Sequence, residues 1–483
     1  MQTRKILTFI FFASLTLISG YICFYNLGKA PLENWDEAWY GDMTRNMMQT
    51  GNMISLVWNE IVLLDKPPLL IWMNAIFASL FGLSELTLRL TSAIAGFLTI
   101  LLVTKYSYKK WGVIPAILSF ITVALNNIFI WRVRSGNIDS LATFLIFLIF
   151  FFIQMKNKYK YYGLGLLFAL MYLTKASLVG FPLFIFILYE LFYEKQNVRK
   201  NWKGYLSLFL IILVICGSWL FLGFLKEGVA FPKYYLFQSD QGVSNISPFT
   251  FKIDYLLFAY YSLQRRFAYL FIVGLALLAV SIKKKASFLI FCFSTFLLFL
   301  LSFTERNNNW YLMPAMPFWS LTIGYGVYKL QKILSKKRII YLLFSSLLLL
   351  VSTYVSVKTY RENIVPLMNS TGTKYQKQSG VVLARTSRPD EVVVRTDGMY
   401  PTTIFYADRK VLSYKQEINV QHATFIGKNL LTEGLKSKTY RWLVGPKNET
   451  ANLIFELGPH YEWHKEYENG EEVIMRLKYA EMI

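Results

Sequence analysis

The feature that most constrains this chain is a series of long apolar runs separated by short segments that are alternately basic and non-basic. A run of about twenty apolar residues, coiled as a helix, matches the hydrocarbon thickness of a bilayer. Such runs cover 6–25, 85–106, 113–131, 138–155, 162–174, 178–192, 204–225, 267–282, 286–303, 311–330 and 339–357. If each crosses once, the clusters Arg4/Lys5, Lys105/Lys109/Lys110, Lys156/Lys158/Lys160, Lys195/Arg199/Lys200/Lys203, Lys283/Lys284/Lys285 and Lys332/Lys336/Lys337/Arg338 share one face. Excess Lys and Arg marks the cytoplasmic face. The N-terminus is then cytoplasmic, and about eleven spans put the C-terminal segment outside. The fifth and sixth runs are short; fused into one helix they would reverse that last assignment. No small-x-small cleavage site cleanly follows the first run, so it is read as an uncleaved anchor rather than a signal peptide.

Composition supports this reading. The chain is 55% hydrophobic and 17% charged, too little charge to wet a soluble surface of 483 residues. Its formal charge of +22 could suggest nucleic acid. Much of the excess, however, sits in the clusters between apolar runs, so it reports topology rather than a phosphate-binding face, and no nucleic-acid partner is expected. Cys23, Cys216 and Cys292 lie in apolar runs and read as small hydrophobes. His422, His460 and His464 all fall in the tail, which leaves the membrane region without a histidine for a metal.

From about residue 358 the pattern changes. Runs shorten to strand length, as at 391–395 and 440–444, and alternate with helical stretches and the turns Asp397-Gly398 and Asn469-Gly470. We read residues 1–357 as a membrane domain, with a first outer loop over 26–84, and 358–483 as a small extracytoplasmic α/β domain. The tail carries no nucleophile elbow, phosphate loop or metal-ligand spacing, so the chemistry is sought in the membrane part.

The first outer loop reads Asn34-Trp35-Asp36-Glu37-Ala38-Trp39-Tyr40-Gly41-Asp42-Met43-Thr44-Arg45-Asn46-Met47-Met48. Asp36 is placed as a helix N-cap, Glu37 lies in the first turn, and Gly51 is the stop. Tyr40, Met43 and Met47 form an apolar face suited to the headgroup layer. Asp36 as a cap and nothing more is the competing reading. A second segment, Asp65-Lys66-Pro67-Pro68-Leu69, presents an acid–base pair from a turn fixed by two prolines. The apolar stretch after it is short for a span and reads as interfacial or re-entrant.

Further charges sit at the ends of runs on the same outer side: Asp139 in Arg132-Val133-Arg134-Ser135-Gly136-Asn137-Ile138-Asp139, Lys175, Arg265 and Arg266, and Arg306 with Tyr311 around Asn307-Asn308-Asn309-Trp310. Taken singly, Arg132, Arg134 or Arg306 reads as a snorkelling or anchoring residue. Together, acids and bases on one face suggest a site where cations hold a lipid phosphate and a carboxylate takes a proton from an acceptor.

The Asp-Glu-Ala-x-Tyr helix start, the acid-Lys-Pro-Pro-Leu-Leu-x-Trp segment and the later Trp-Tyr-Leu-x-Pro-Ala-x-Pro resemble the GT-C glycosyltransferase superfamily of protein O-mannosyltransferases and aminoarabinose (lipid A) transferases. The resemblance runs from about Asp36 to Leu330. It implies a GT-C type helical bundle with a small soluble domain, and inverting transfer from a polyprenyl-phosphate sugar to an acceptor on a lipid, glycan or protein, at the outer face of a bacterial-type inner membrane. It further implies Asp36 as catalytic base with Glu37 beside it, Asp139 as a second acid, and Lys66 and Tyr311 at the carrier phosphate. Asp65, Trp39, Tyr40 and Arg306 would support them. The family's Asp-Glu-Ala-Arg is here Asp36-Glu37-Ala38-Trp39, which removes a phosphate-binding arginine; Lys175, Arg265 or Arg266 is expected to substitute. The family's usual glutamate before Lys-Pro-Pro is Asp65. No histidine-ligated zinc is expected; a divalent cation such as Mg or Mn on carboxylates remains compatible.

A transporter of lipid-linked sugars is the alternative. Transporters place polar groups near the midplane on broken helices, often in repeats. Here the charges gather at one face and no repeat is found.

Overall fold

The computed structural model describes residues 2–157, 159–195, 200–237, 251–263, 265–304, 308–398, 401–414 and 425–478. In chain order the elements are α1 (Gln2–Phe24), α2 (Asp36–Thr50), β1 (Leu56–Trp58), β2 (Ile61–Leu63), α3 (Leu69–Phe81), α4 (Glu85–Trp111), α5 (Val113–Ala124), α6 (Asn127–Arg134), α7 (Ile138–Ile153), α8 (Tyr159–Thr174) and α9 (Gly180–Tyr193). They continue with α10 (Trp202–Glu227), α11 (Ala230–Phe237), α12 (Asp254–Ser262), α13 (Arg266–Val280), α14 (Lys285–Leu301), α15 (Met316–Leu334) and α16 (Arg338–Thr359). The tail adds α17 (Lys374–Thr386), β3 (Val392–Arg395), α18 (Pro401–Ala407), β4 (Val411–Ser413), α19 (Lys428–Lys436), β5 (Tyr440–Pro446), α20 (Lys447–Leu457), β6 (Glu462–Glu468) and β7 (Glu472–Lys478). The fold is a polytopic helical bundle with a small α/β sheet domain.

All eleven apolar runs contain helix. Among the described residues, five helical segments are long and apolar enough to cross a membrane, or seven if each of two bent pairs counts as one span. One bent pair is α5–α6, kinked by 60°. The kink has a sequence cause: Asn126 leaves the helix in an extended conformation and its side chain accepts from Phe129 N, capping α6.

The fifth and sixth runs are two helices and not one. Lys160, at the start of α8, pairs with Glu190, near the end of α9, with Nζ 2.5 Å from Oε1. That contact requires the two helices to fold back on each other. Tyr205 Oη donates to the other Glu190 oxygen at 2.6 Å. Lys160 is thus buried in the bundle, where the sequence suggested an ordinary loop cation.

By contacts the chain divides into two compact units: Met1–Leu27, Leu64–Met73 and Arg89–Asn369 form one, and Gly28–Leu63, Asn74–Leu88 and Ser370–Ile483 the other. In the first unit α7, α14 and α15 share an aromatic core. Phe293 stacks on Phe318 with centroids 4.5 Å apart, and Phe150 and Phe147 pack against Phe318. The helices α13 and α15 approach closely because Gly274 has no side chain: a Cβ there would lie 2.3 Å from the Thr322 carbonyl oxygen. Arg89 and Arg134 are buried and do not snorkel. Arg134 donates to the carbonyls of Ile22 and Tyr25, and Arg89 to that of Leu27, so both serve the unsatisfied end of α1.

In the second unit the sheet has the order β4-β3-β5-β7-β6. The strands β4, β3 and β5 are parallel, and β7 pairs antiparallel with β5 and β6. Asn469-Gly470 turns the β6–β7 hairpin, and Asn469 Oδ1 accepts from Glu471 N and Glu472 N. Arg395 is fully buried and reaches Glu472 (2.6 Å), Asp397 (2.8 Å) and Thr403 (2.7 Å). The β1–β2 hairpin joins through Asn59 and Glu60, both at positive φ, as a two-residue turn of this type demands. Asn59 also exchanges two hydrogen bonds with the Val411 backbone, which fixes the hairpin beside β4.

Candidate active site

In the first unit, four predicted or suspected residues come together. The Ser135-Gly136-Asn137 turn reverses the chain between α6 and α7, bringing Arg132 opposite Asp139. Asn137 sets the turn: its Oδ1 accepts from Asp139 N and its Nδ2 donates to the Arg132 carbonyl. One Asp139 oxygen accepts from Arg132 Nε (3.0 Å) and Nη2 (2.5 Å), and the other from Lys175 Nζ (3.2 Å). Lys175 lies just past α8, its Nζ 4.7 Å from the centre of the Tyr311 ring. The Arg132 guanidinium lies between Trp131 and Trp310, 5.2 and 5.5 Å from their rings.

The electrostatics follow from these contacts. Two cations, Arg132 and Lys175, share the Asp139 carboxylate. Arg132 and Asp139 are only 4% and 5% exposed, whereas Lys175 is 21% exposed. Lys175 has three donor hydrogens and gives one to Asp139. It is therefore the member that can offer donors to an anion. Arg132, which the sequence read as an anchoring residue, is a buried partner that holds Asp139 in place. Both Asp139 oxygens are engaged by cation donors, a geometry suited to positioning Lys175.

A second cluster surrounds the Asp65-Lys66 turn. Lys66 Nζ is 3.0 Å from Asp65 Oδ2. Tyr234 Oη donates to Asp65, and Tyr235 Oη donates to the Lys66 carbonyl at 2.9 Å. Tyr235 is wedged between Trp219 and Phe231 and is fully buried, so it fixes the turn from α11. Sequence reasoning missed both tyrosines; the only signal was the adjacent Tyr-Tyr pair after Pro232. The two prolines behave as expected: Pro68 O accepts from Trp72 N and opens α3, which at 13 residues is too short to cross a bilayer.

In the second unit, α2 carries Asp36, Glu37, Trp39 and Tyr40. The expected N-cap is shifted by one. Trp35 occupies the cap position at φ 65°, with no side-chain cap bond, and Asp36 is the first helical residue. A bulky residue at positive φ is strained, and here it immediately precedes the candidate base. Gly51 ends the helix in the left-handed conformation, as expected. Asp36 is half-buried, while Glu37 is buried and accepts from Glu33 N at 2.6 Å, bracing the approach to the helix. The expected headgroup-facing stripe is not one: Tyr40, Met43 and Met47 are buried within the protein. Trp39 stacks on Tyr40 and meets Trp58 edge-on, so an aromatic cluster stands where the motif's arginine was expected. Arg45 instead binds Asp42, Asp408 and the Phe405 carbonyl.

Arg265 lies at φ 56° with its guanidinium over the Tyr261 ring, and Arg266 opens α13. Arg306 and His422 lie outside the described residues. Among the described residues no group of three or more His, Cys, Asp or Glu side chains is gathered as a metal would require, and no reaction step is assigned to a metal.

A family profile described as dolichyl-phosphate-mannose-protein mannosyltransferase matches residues 65–221. An undecaprenyl phosphate-alpha-4-amino-4-deoxy-L-arabinose arabinosyl transferase of Shewanella sediminis is 28% identical over 201 residues, 39% of this chain and 36% of that protein. An uncharacterized protein of Aquifex aeolicus is 26% identical over 306 residues, 61% of this chain and 59% of that protein. The chain thus spans less than two thirds of the length of either relative. The crystal structure of ArnT from Cupriavidus metallidurans bound to undecaprenyl phosphate superposes with a TM-score of 0.76 at 14% identity, over 97% of both chains.

The chain is a multi-pass membrane protein with the GT-C fold. Its residues 65–221 match the mannosyltransferase profile, and over its whole length it shares the fold of ArnT.

Proposed function

We propose that this protein transfers a sugar from a polyprenyl-phosphate carrier to an acceptor hydroxyl or phosphate, with inversion, at the outer face of the membrane. The observation that carries this reading is the Arg132–Asp139–Lys175–Tyr311 cluster on a GT-C fold, in which a partly exposed lysine stands beside a buried Arg132–Asp139 pair. It suits a phosphate monoanion or dianion far better than a neutral sugar.

In this reading Lys175, Tyr311 and Lys66 bind the carrier phosphate. The acceptor oxygen attacks the anomeric carbon, the bond from that carbon to the phosphate oxygen breaks, and the electron pair leaves with the phosphate. Asp36 takes the acceptor proton. Positive charge on the leaving phosphate lowers the barrier because it meets charge that grows in the transition state. The lipid-phosphate chemistry in the names of the relatives supports this donor class. A lipid, protein or envelope-glycan acceptor is consistent with it, as is a tail outside the membrane.

Asp36→Asn tests the assignment. The variant should insert and purify as the wild type does and bind the donor lipid, yet lose transfer by a factor of about 100 or more. Wild-type transfer by the variant would sink the role given to Asp36.

A further inference from the structure

Two open clefts flank α4 in the first unit, at the end that carries its basic residues. One, of about 440 Å³, lies between α4 and α7 and is lined by Leu102, Tyr106, Leu148 and Phe151. The other, of about 580 Å³, lies between α4 and α1 and is lined by Phe12, Thr16, Leu98 and Leu101. Leu102, Lys105 and Lys109 line both clefts. Spaced i, i+3 and i+7, they form one ridge on α4 with a cleft on either side.

The ridge is amphiphilic along its length. Its deeper part and both cleft floors are almost wholly apolar, whereas Lys105 and Lys109 crown it, about 6 Å apart along the axis. Both lysines are exposed, and among the described residues neither has a carboxylate partner. Lys110 lies beside them, over the Tyr106 ring. A membrane-facing apolar cleft is filled by acyl chains, and unpaired cations at the headgroup level draw phosphate.

We propose that this ridge is a binding site for an anionic diacyl phospholipid, such as phosphatidylglycerol, that sits astride α4. One acyl chain occupies each cleft, and the phosphate rests on Lys105 and Lys109. The two basic residues in the last turn of α4 also offset the negative end of the helix dipole, which would otherwise repel the phosphate. The site is built from residues that the transfer reaction does not use, and it lies on the side read as cytoplasmic.

Native mass spectrometry of the full-length protein tests this, using equal amounts of phosphatidylglycerol and phosphatidylcholine with identical chains. The wild type should retain phosphatidylglycerol preferentially. Lys105→Ala/Lys109→Ala should lower that retention on the order of tenfold or more. Leu102→Trp, which keeps both charges but fills the clefts, should lower it as well. Lys336→Ala/Lys337→Ala, removing another basic pair on the same side, should leave it unchanged. Wild-type retention by the Lys105/Lys109 variant would overturn the proposal, as would an equal loss in the Lys336/Lys337 variant. Wild-type retention by Leu102→Trp, or equal competition by the chain-free glycerophosphoglycerol headgroup, would overturn the placement of the chains.

Discussion

Replacing Asp139 with Asn removes one negative charge and little volume, so it isolates the electrostatic role of that carboxylate. In the native cluster Asp139 satisfies two cations, one of which, Arg132, is 4% exposed and enclosed by two tryptophans. Asn at this position removes a carboxylate that the buried guanidinium grips with both Nε and Nη2. Breaking a buried pair from one side costs about 3–5 kcal/mol. Most of that falls on Arg132, because Lys175 is partly exposed and can turn towards water. The double variant Arg132→Gln/Asp139→Asn removes both members of the contact, so its loss should fall short of the sum of the single losses by about 0.5–3 kcal/mol. Thermal unfolding of the detergent-solubilised protein, followed by tryptophan fluorescence, measures these differences. Polyprenyl-phosphate binding to Asp139→Asn should also weaken, since Lys175 loses its positioning partner. If Asp139→Asn unfolds like the wild type, or if the two single losses simply add, the account of a coupled buried cluster is wrong.

Three further outcomes are expected. Tyr235→Phe removes the hydroxyl that holds the Lys66 carbonyl, which should cost about 0.5–1.5 kcal/mol and raise KM for the donor lipid more than it lowers kcat, as steady-state kinetics would show. Gly274→Ala should force α13 away from α15, because the Thr322 carbonyl is backbone and cannot rotate aside; a loss of about 1–3 kcal/mol should appear in thermal unfolding. Hydrogen bonds from Lys447 and Lys465 pull the exposed Glu468 carboxyl down from its ordinary 4.5 to about 2. Because the folded value is depressed, its contribution is present above pH about 4.5 and is lost as pH falls towards about 2. The stability difference between wild type and Glu468→Gln, read by thermal unfolding across that window, should therefore vanish at the acid end, and it should shrink in high salt.

Much of the fold was legible because its signals are long and redundant. A run such as 204–225 specifies a helix whatever its neighbours are, and the Asn469-Gly470 turn is a local instruction to form a hairpin. The Asn59-Glu60 turn was missed because glutamate is not a residue that favours positive φ, and contacts remote in sequence, with Asp42, Lys410 and Val411, hold it there. In the site, Asp139, Lys175 and Tyr311 were named from the sequence and come together in the first unit. The part played by Arg132 was not legible, since an arginine at a helix end looks the same whether it snorkels or is buried against an acid. Burial depends on the Asn137 turn and on Trp310, which is a domain's length away in sequence. The cap assignment of Asp36 slipped by one because Trp35 adopts a conformation that its own preferences oppose.

The central claim is that this chain acts on a sugar carried by a polyprenyl phosphate. The most direct measurement is incubation of the purified protein with a panel of polyprenyl-phosphate sugars, with mass spectrometry to follow binding and the slow release of sugar to water. The account predicts that at least one donor is bound and hydrolysed by the wild type, that Lys175→Ala weakens its binding, and that Asp36→Asn binds it without hydrolysis. Translocation of intact lipid-linked sugar with no cleavage, unaffected by either substitution, would contradict it.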